Sequence, residues 1–234
     1  MARSVLGLNI FLGAFLMFQI QPLVGKVVTA QFGGVAAIWC VCIMFFQTAL
    51  LAGYLLTFLI TKLELKAQAV SYGVLMFASI ALLNVPPTSG WSASESLHPV
   101  ESLLILLSVH LAVPCILLST ISGLMQSWYT SSKLGDPYPL YGISNVGSLS
   151  ALLLYPVVVE PLVGVNKCLS IWNCGYALVA CLSVLSAIFI VRREKSNTSQ
   201  PQPKGAQPSL SSLSWWIGLS ALGTIVLKIG RAHV

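Results

Sequence analysis

The chain has 234 residues, of which 56% are hydrophobic and 8% are charged, and it carries a formal net charge of +6. A soluble globular domain has about 25% charged residues, so most of this protein's surface is expected to face lipid. The 12 Lys and Arg residues are spread over predicted loops without a basic face, which argues against a nucleic-acid partner. The six cysteines form no Cys-x-x-Cys pair, so neither a disulfide framework nor a metal site is expected.

Six apolar runs are long enough to cross a bilayer, because a spanning helix needs about 20 apolar residues. We predict spans at 5–20, 35–60, 67–85, 100–125, 141–159 and 169–191, with a partial seventh at 214–227. The first run follows Arg3 as in a signal peptide, but no small-x-small cleavage site comes after it, so we interpret it as a retained helix. The predicted fold class is all-α: a polytopic integral membrane helix bundle with six complete spans in residues 1–191 and a truncated seventh in 214–228.

Residues 192–213 differ in composition from everything before them. This segment is rich in Ser, Gln, Pro and basic residues, and it cannot bury enough apolar surface to offset its ordering entropy. We therefore predict a mobile, water-exposed connector there.

The basic residues are divided unequally between alternate loops. Only Lys26 and Lys167 fall on one side, whereas eight fall on the other: Arg3, Lys62, Lys66, Lys133, Arg192, Arg193, Lys195 and Lys204. By the positive-inside rule, the N-terminus and the 192–213 linker are predicted to be cytoplasmic, in a multi-pass protein of the cytoplasmic (inner) membrane.

Small residues recur at helical spacing within several spans. They are Ala49 and Gly53, then Gly147 and Ala151, and then Ala180, Ser183 and Ala187. In lipid such residues let helices approach closely, because hydrophobic burial alone does not drive helices together there. Pro114 and Pro156 also lie within spans, where each removes one helical hydrogen bond.

Polar side chains within a bilayer are costly, so they are candidate functional residues. The candidates are Gln19, Gln21, Lys26, Gln47, His110, Asn145 and Glu160. A single Gln or Asn in a span can equally tie helices together, and His110 has no second ligand-type residue nearby in sequence. Lys26 and Glu160 fall on the same side of the membrane, and we hypothesise that they pair.

Motifs of catalysis are missing from the sequence, including a nucleotide-binding Gly-x-Gly-x-x-Gly, a P-loop, Gly-x-Ser-x-Gly and His-Glu-x-x-His. We find no acidic residue at mid-membrane depth for a proton relay. We therefore assign no catalytic, cofactor-binding or metal-binding residue and expect no enzymatic activity from these 234 residues.

Seven stretches together carry a resemblance to a known family. They are QPLVGK (21–26), GGVAAIWCVCIMFFQTALLAGY (33–54), LLSTISGLMQSWY (117–129), DPYPLYGISNVGS (136–148), YPVVVEP (155–161), WNCGYAL (172–178) and SWWIGLSALGTIVL (214–227). In this order they resemble the N-terminal membrane part of the fused MFS/spermidine synthase family. The resemblance implies an MFS-like first half, followed by a soluble aminopropyltransferase-like domain that uses decarboxylated S-adenosylmethionine as co-substrate. The loop TKLELK (61–66) lacks the Gly-x-x-x-Asp-Arg pattern of many MFS transporters.

The leading functional interpretation is a membrane-embedded portion that anchors such a polyamine aminopropyltransferase-like domain and exchanges substrate or product with it. The alternatives are a stand-alone permease of a small solute, or a non-transporting scaffold that assembles partners through its small-residue faces. The predicted partners are the lipid bilayer and a small solute or polyamine, and the oligomeric state stays open. Residues 229–234 (IGRAHV) match the translation of a sequencing adapter, so native sequence is expected to end near Leu227 or Lys228.

Overall fold

The computed structural model describes residues 2–81, 83, 85, 98–196, 214, 215, 218, 219 and 222. The chain divides into two compact units, Met1–Asn197 and Thr198–Val234. The helices of the first unit are α1 (Ala2–Phe32), α2 (Ala36–Thr61), α3 (Leu65–Ala81), α4 (Pro99–Ser131), α5 (Tyr138–Leu154), α6 (Glu160–Leu162) and α7 (Val165–Ser196), with a π-helical segment (Tyr155–Val159) between α5 and α6. The described residues of the second unit are helical.

Within the described ranges, five helices are long and apolar enough to cross a membrane. They are Arg3–Phe32, Ala36–Thr61, Pro99–Ser131, Tyr138–Leu162 and Val165–Arg193. The described fold is all-helical, as predicted, and fits a helical membrane bundle. Helix α3 has 17 residues, a rise of about 25 Å, which falls just short of a hydrocarbon core of about 30 Å.

Helix α1 extends well beyond the predicted end of the first span at residue 20. Pro22 lies inside it, and the helix continues to Phe32. Prolines are tolerated in membrane helices because neighbouring groups satisfy the freed carbonyl. The stop comes at Gly33, which has φ +81° and donates its N–H to Thr29 O over 3.1 Å. This left-handed glycine is a common helix C-cap, so Gly33 and not Pro22 ends the helix.

Helix α7 also runs further than predicted, to Ser196. It therefore includes the first residues of the predicted linker. Arg193 Nε donates to Ser132 O over 3.2 Å, which fixes the end of α7 beside the α4–α5 turn. The rest of the predicted linker, 197–213, and the predicted adapter-derived residues 229–234 lie outside the described residues, as does most of the seventh span at 214–228.

Helices α1 and α4 pack against each other at the centre of the first unit. Helix α2 packs on α4, α5 packs on α1, and α3 packs on α7, which also contacts α1. The largest side chains of the core are fully buried, among them Trp128, Trp172, Tyr72 and Tyr176. The outer faces expose apolar side chains, for example Val157, Phe77 and Leu51 at 71%, 70% and 68%. A fold that exposes so much apolar surface is suited to lipid and not to water.

Small residues form close helix contacts, as the sequence predicts. A β-carbon on Gly53 would lie 2.7 Å from Ile116 O of α4, and one on Gly147 would lie 2.5 Å from Phe11 O of α1. The remaining small residues of the predicted set are also buried: Ala49, Ala151, Ala180, Ser183 and Ala187. These residues therefore pack against other helices within the bundle.

The described basic side chains are concentrated at one end of the first unit, which we call the basic end. It comprises Arg3, Lys62, Lys66, Lys133, Arg192 and Arg193. Two hydrogen bonds bring helix termini together there, between Arg193 and Ser132 and between Trp128 and Gln68. Arg3 Nη2 also lies 3.6 Å from where a β-carbon on Gly135 would be. We call the other end, where Lys26 and Glu160 lie, the opposite end.

Candidate functional site

An ion pair joins α1 to α6 at the opposite end. Lys26 Nζ donates a hydrogen bond to Glu160 Oε1 over 3.0 Å, and the two side chains remain 42% and 43% exposed. The predicted pairing is therefore confirmed. Exposed ion pairs contribute roughly 0.2–1 kcal/mol to stability. The main effect of this pair is therefore to keep the two charges next to each other, although they come from distant parts of the chain.

The π-helical segment immediately before Glu160 determines where that carboxylate lies. Pro156 has no backbone N–H and disfavours a regular α-helical turn. The N–H of Glu160 bonds to Tyr155 O, five residues earlier. One extra residue in a turn rotates the following side chains by about 100° relative to an uninterrupted α-helix. The segment therefore decides which face of the helix carries Glu160.

Gly25 permits a second contact between α1 and α2 at the opposite end. A β-carbon on Gly25 would lie 3.0 Å from Cη2 of Trp39 in α2, closer than the roughly 3.5–4.0 Å of ordinary carbon contacts. The Trp39 ring thus packs on α1 next to Lys26. Trp39 remains 43% exposed, and such a position suits an aromatic residue at a membrane interface.

Gln19 and Gln21 lie close to the predicted end of the first span at residue 20, but α1 continues past them to Phe32. Both side chains are half-buried. Gln21 Nε2 donates to Met17 O of its own helix over 3.5 Å, a long hydrogen bond. The structure therefore does not bring these two residues together with the Lys26–Glu160 pair through a hydrogen bond.

Gln47 and Asn145 are both exposed on the outer faces of α2 and α5. On α5, Tyr141 and Ser148 lie one turn to either side of Asn145, and on α2, Tyr54 lies two turns after Gln47. Tyr54 and Tyr141 are 59% and 55% exposed. Residues spaced i, i+4 and i+7 share one helix face, so each of these helices exposes a stripe with polar side chains in the middle of an apolar segment.

Polar side chains also connect α4 to α5, and we call this set the α4–α5 polar face. Gln126 Nε2 donates to Ser122 Oγ over 3.0 Å, and Ser122 Oγ donates to Ser144 Oγ over 3.4 Å. Ser144 directly precedes Asn145 in α5. The candidate Asn145 therefore stands beside a hydrogen-bonded set of three side chains that the sequence analysis does not single out.

His110 is half-buried within α4. Among the residues that the structure describes, no three His, Cys, Asp or Glu side chains are grouped so that they could hold a metal ion. The cysteines of the described part are free, and Cys42, Cys115 and Cys168 are buried.

Several polar residues missed by the sequence analysis lie in the bundle interior. Asn9 of α1 is fully buried, and its Nδ2 donates to Ser183 Oγ of α7 over 3.1 Å. The hydroxyls of Tyr72 and Thr120 both donate to Leu117 O, over 3.0 and 2.7 Å, and Ser79 and Tyr176 share a hydrogen bond of 2.7 Å. Asn9 interrupts an apolar run just as Gln47 does, so the rule that found Gln47 also points to it. These groups satisfy one another and hold α1, α3, α4 and α7 together.

Comparisons of the chain with protein-family models, with curated proteins and with solved structures find no match.

Proposed function

We propose that the chain forms the first six-span half of an MFS-like membrane carrier fold. The packing order supports this proposal. Suppose that α1, α2 and α3 form one repeat and that α4, α5 and α7 form a second repeat in the same order. The contact of α2 with α4 then has its counterpart in the contact of α5 with α1. The contacts of α1 with α4 and of α3 with α7 map onto themselves. Matched helices run in opposite directions between the two ends, which is the arrangement of inverted three-helix repeats within one MFS half.

The glycine contacts follow the same relation. Gly53 of α2 meets the carbonyl of Ile116 in α4, and Gly147 of α5 meets the carbonyl of Phe11 in α1. Each repeat thus places a glycine of its second helix against the first helix of the other repeat. A sixth span through α3 is supported by Val85, four residues after the end of α3, whose carbonyl accepts a 3.1 Å hydrogen bond from Asn173 of α7. In this proposal the basic end faces the cytoplasm.

The functional part of the proposal rests on the exposure of Gln47 and Asn145 on helices whose other exposed side chains are mostly apolar. Polar groups in a membrane face protein or a water-filled cavity, because exposure to hydrocarbon is costly. We therefore propose that these stripes line the path of a small solute. The sequence resemblance extends the proposal to a polyamine solute and to an aminopropyltransferase-like domain that the bundle anchors at the membrane.

The scaffold alternative has less support. It requires small-residue faces that are open to partners, whereas the small residues in question are buried within the bundle. A stand-alone permease remains the second candidate, because the same exposed polar stripes support it.

Thiol labelling tests the solute path with a closely matched control. In a variant whose native cysteines are replaced by Ser, Asn145→Cys is expected to react with a membrane-impermeant maleimide in intact membranes. Val146→Cys, its neighbour at almost the same depth, is 56% exposed but lies about 100° further around the helix and is expected to react far more slowly. Equal rates at the two positions would rule out an aqueous path along this face of α5.

Uptake of radiolabelled spermidine into proteoliposomes then separates transport from anchoring. Carrier activity predicts uptake that falls with Asn145→Leu and persists with Val146→Leu, and absence of uptake leaves anchoring as the proposed role. The transferase part is tested by sequencing the source DNA downstream of the codon for Leu227. A frame that leads into a glycine-rich strand–turn–helix supports it, and a frame with membrane spans alone contradicts it.

A further inference from the structure

A groove runs along the outer surface between α3 and α7. Its volume is about 590 Å³, within the roughly 300–1,000 Å³ of small-molecule pockets. Its walls are apolar and include Val70, Val74 and Phe77 from α3 and Val184 and Ile188 from α7. The two helices are in contact at the floor, since a β-carbon on Gly73 would lie 3.5 Å from Cβ of Ala187.

One end of the groove is charged. Arg192 belongs to the lining and is exposed, and it is the lining's one charged side chain among the described residues. Its neighbour Arg193 is already bonded to Ser132 O, whereas Arg192 makes no ion pair within the described ranges. Lys66, also exposed, lies one helical turn before Val70 at the same end. The groove therefore combines an apolar trough with cations at the basic end.

The dimensions match one leaflet of a bilayer. The lining extends from Ala69 to Ala78 on α3 and from Val184 to Arg192 on α7, which corresponds to about 13 Å and about 12 Å of helix rise. Half of a hydrocarbon core of about 30 Å is roughly 15 Å. A chain that fills the trough would thus end near mid-membrane, while its polar end would lie at Arg192.

We propose that this groove binds an anionic phospholipid of the leaflet at the basic end. An acyl chain lies between α3 and α7, and Arg192 donates hydrogen bonds to the phosphate, with Lys66 adding positive charge nearby. Basic pockets between membrane helices are known to bind anionic head groups, and a guanidinium suits bidentate contact with phosphate. Apolar contact alone gives no preference in lipid, so the charge at Arg192 provides the selectivity for the head group. This proposal does not depend on solute transport.

Native mass spectrometry of the full chain, purified in mild detergent with added lipid, tests the site. The wild type is expected to retain phosphatidylglycerol in preference to phosphatidylcholine of the same acyl composition. Arg192→Gln is expected to reduce that preference about fivefold, the effect of about one basic group at a membrane surface. Lys133→Gln removes a charge at the same end away from the groove and is expected to leave the preference unchanged.

A second pair of variants tests the trough without changing charge. Val70→Trp places a large side chain in the groove at a position that is 57% exposed, and it is expected to lower retention of both lipids. Val109→Trp, on α4 at a position 68% exposed, is the control and is expected to retain lipid as the wild type does. Equal retention of the two lipids by the wild type would overturn the proposal. Retention of neither lipid would also overturn it and would favour a protein segment as the occupant of the groove. Equal effects of Arg192→Gln and Lys133→Gln would also overturn it.

Discussion

The contact between Gly147 and Phe11 predicts a large effect from adding a single methyl group. In Gly147→Ala the new carbon would lie 2.5 Å from Phe11 O, whereas carbon and carbonyl oxygen normally approach to about 3.3 Å. Helices α1 and α5 must therefore separate by about 0.8 Å, and the obstacle is backbone, which cannot rotate away as a side chain can. Overpacking of this kind costs typically about 1–3 kcal/mol.

Helix propensity works in the opposite direction, because Ala is favoured over Gly within a helix by roughly 1 kcal/mol. The net expectation for Gly147→Ala is therefore a loss of up to about 2 kcal/mol in the free energy of unfolding. Gly142 supplies the control in the same helix, since a β-carbon there would meet no atom within 4 Å outside its own stretch of helix. Gly142→Ala retains the propensity gain without the clash, so it is expected to be neutral or mildly stabilising.

Unfolding in SDS provides the assay. Trp128 and Trp172 are 0% and 1% exposed, so their fluorescence reports loss of the core as the denaturing detergent is titrated. The midpoint for Gly147→Ala is expected to fall below that of the wild type, and Gly53→Ala is expected to behave in the same way. If Gly147→Ala and Gly142→Ala unfold at the same midpoint, the close approach of α1 and α5 is refuted.

Three further predictions concern the polar contacts, each measured by the same SDS unfolding assay. A double-mutant cycle of Lys26→Ala and Glu160→Ala is expected to give a coupling energy of about 0.2–1 kcal/mol, because the pair is half-exposed. Deletion of Val157 is expected to convert the π-helical turn to a regular one and abolish that coupling, since Glu160 then turns by about 100°. A cycle of Asn9→Ala and Ser183→Ala is expected to give a coupling of about 0.6 kcal/mol, up to about 1.7, as for other hydrogen bonds between membrane helices.

Each of these predictions has an internal control. The charge reversal Lys26→Glu with Glu160→Lys should restore most of the coupled stability, and independent effects of the two alanine variants would contradict the pair. Val157→Ala keeps the chain length and should preserve the coupling that the deletion removes. Ser186 is as buried as Ser183 but bonds to Leu182 O of its own helix, so coupling of Asn9 to Ser186 as strong as to Ser183 would contradict the assigned contact.

The sequence predicts the helical class and the close contacts well, because both depend on local composition. Apolar runs identify the helices, and the small residues at Gly53 and Gly147 identify the positions where backbones meet. The Lys26–Glu160 pair follows from the alternation of loops, which places both residues at one end. The count of six spans stays a prediction, since α3 is shorter than the other five.

Helix ends are less predictable because two opposing effects act on them. Pro22 would end a helix in water, yet inside a bundle the flanking apolar residues and the neighbouring helices keep α1 intact up to Gly33. Arg192 and Arg193 look like the start of a polar linker, yet Arg193 finds a carbonyl at Ser132 and the helix continues. At Arg193 a tertiary contact outweighs local composition, and the sequence pattern does not predict that contact.

The polar residues within the helices form two groups, buried and exposed, that hydropathy does not distinguish. Asn9 and Asn145 interrupt apolar helices in the same way, but Asn9 is satisfied by Ser183 in the core, whereas Asn145 is exposed. A buried amide with a hydrogen-bond partner across the bundle has a structural role, because it connects two helices. An exposed amide in the same environment requires water or another protein surface beside it, because hydrocarbon satisfies neither its donor nor its acceptor. For this reason the candidate function rests on Asn145 and Gln47. The buried hydrogen-bonded residues are more numerous, but their role is structural.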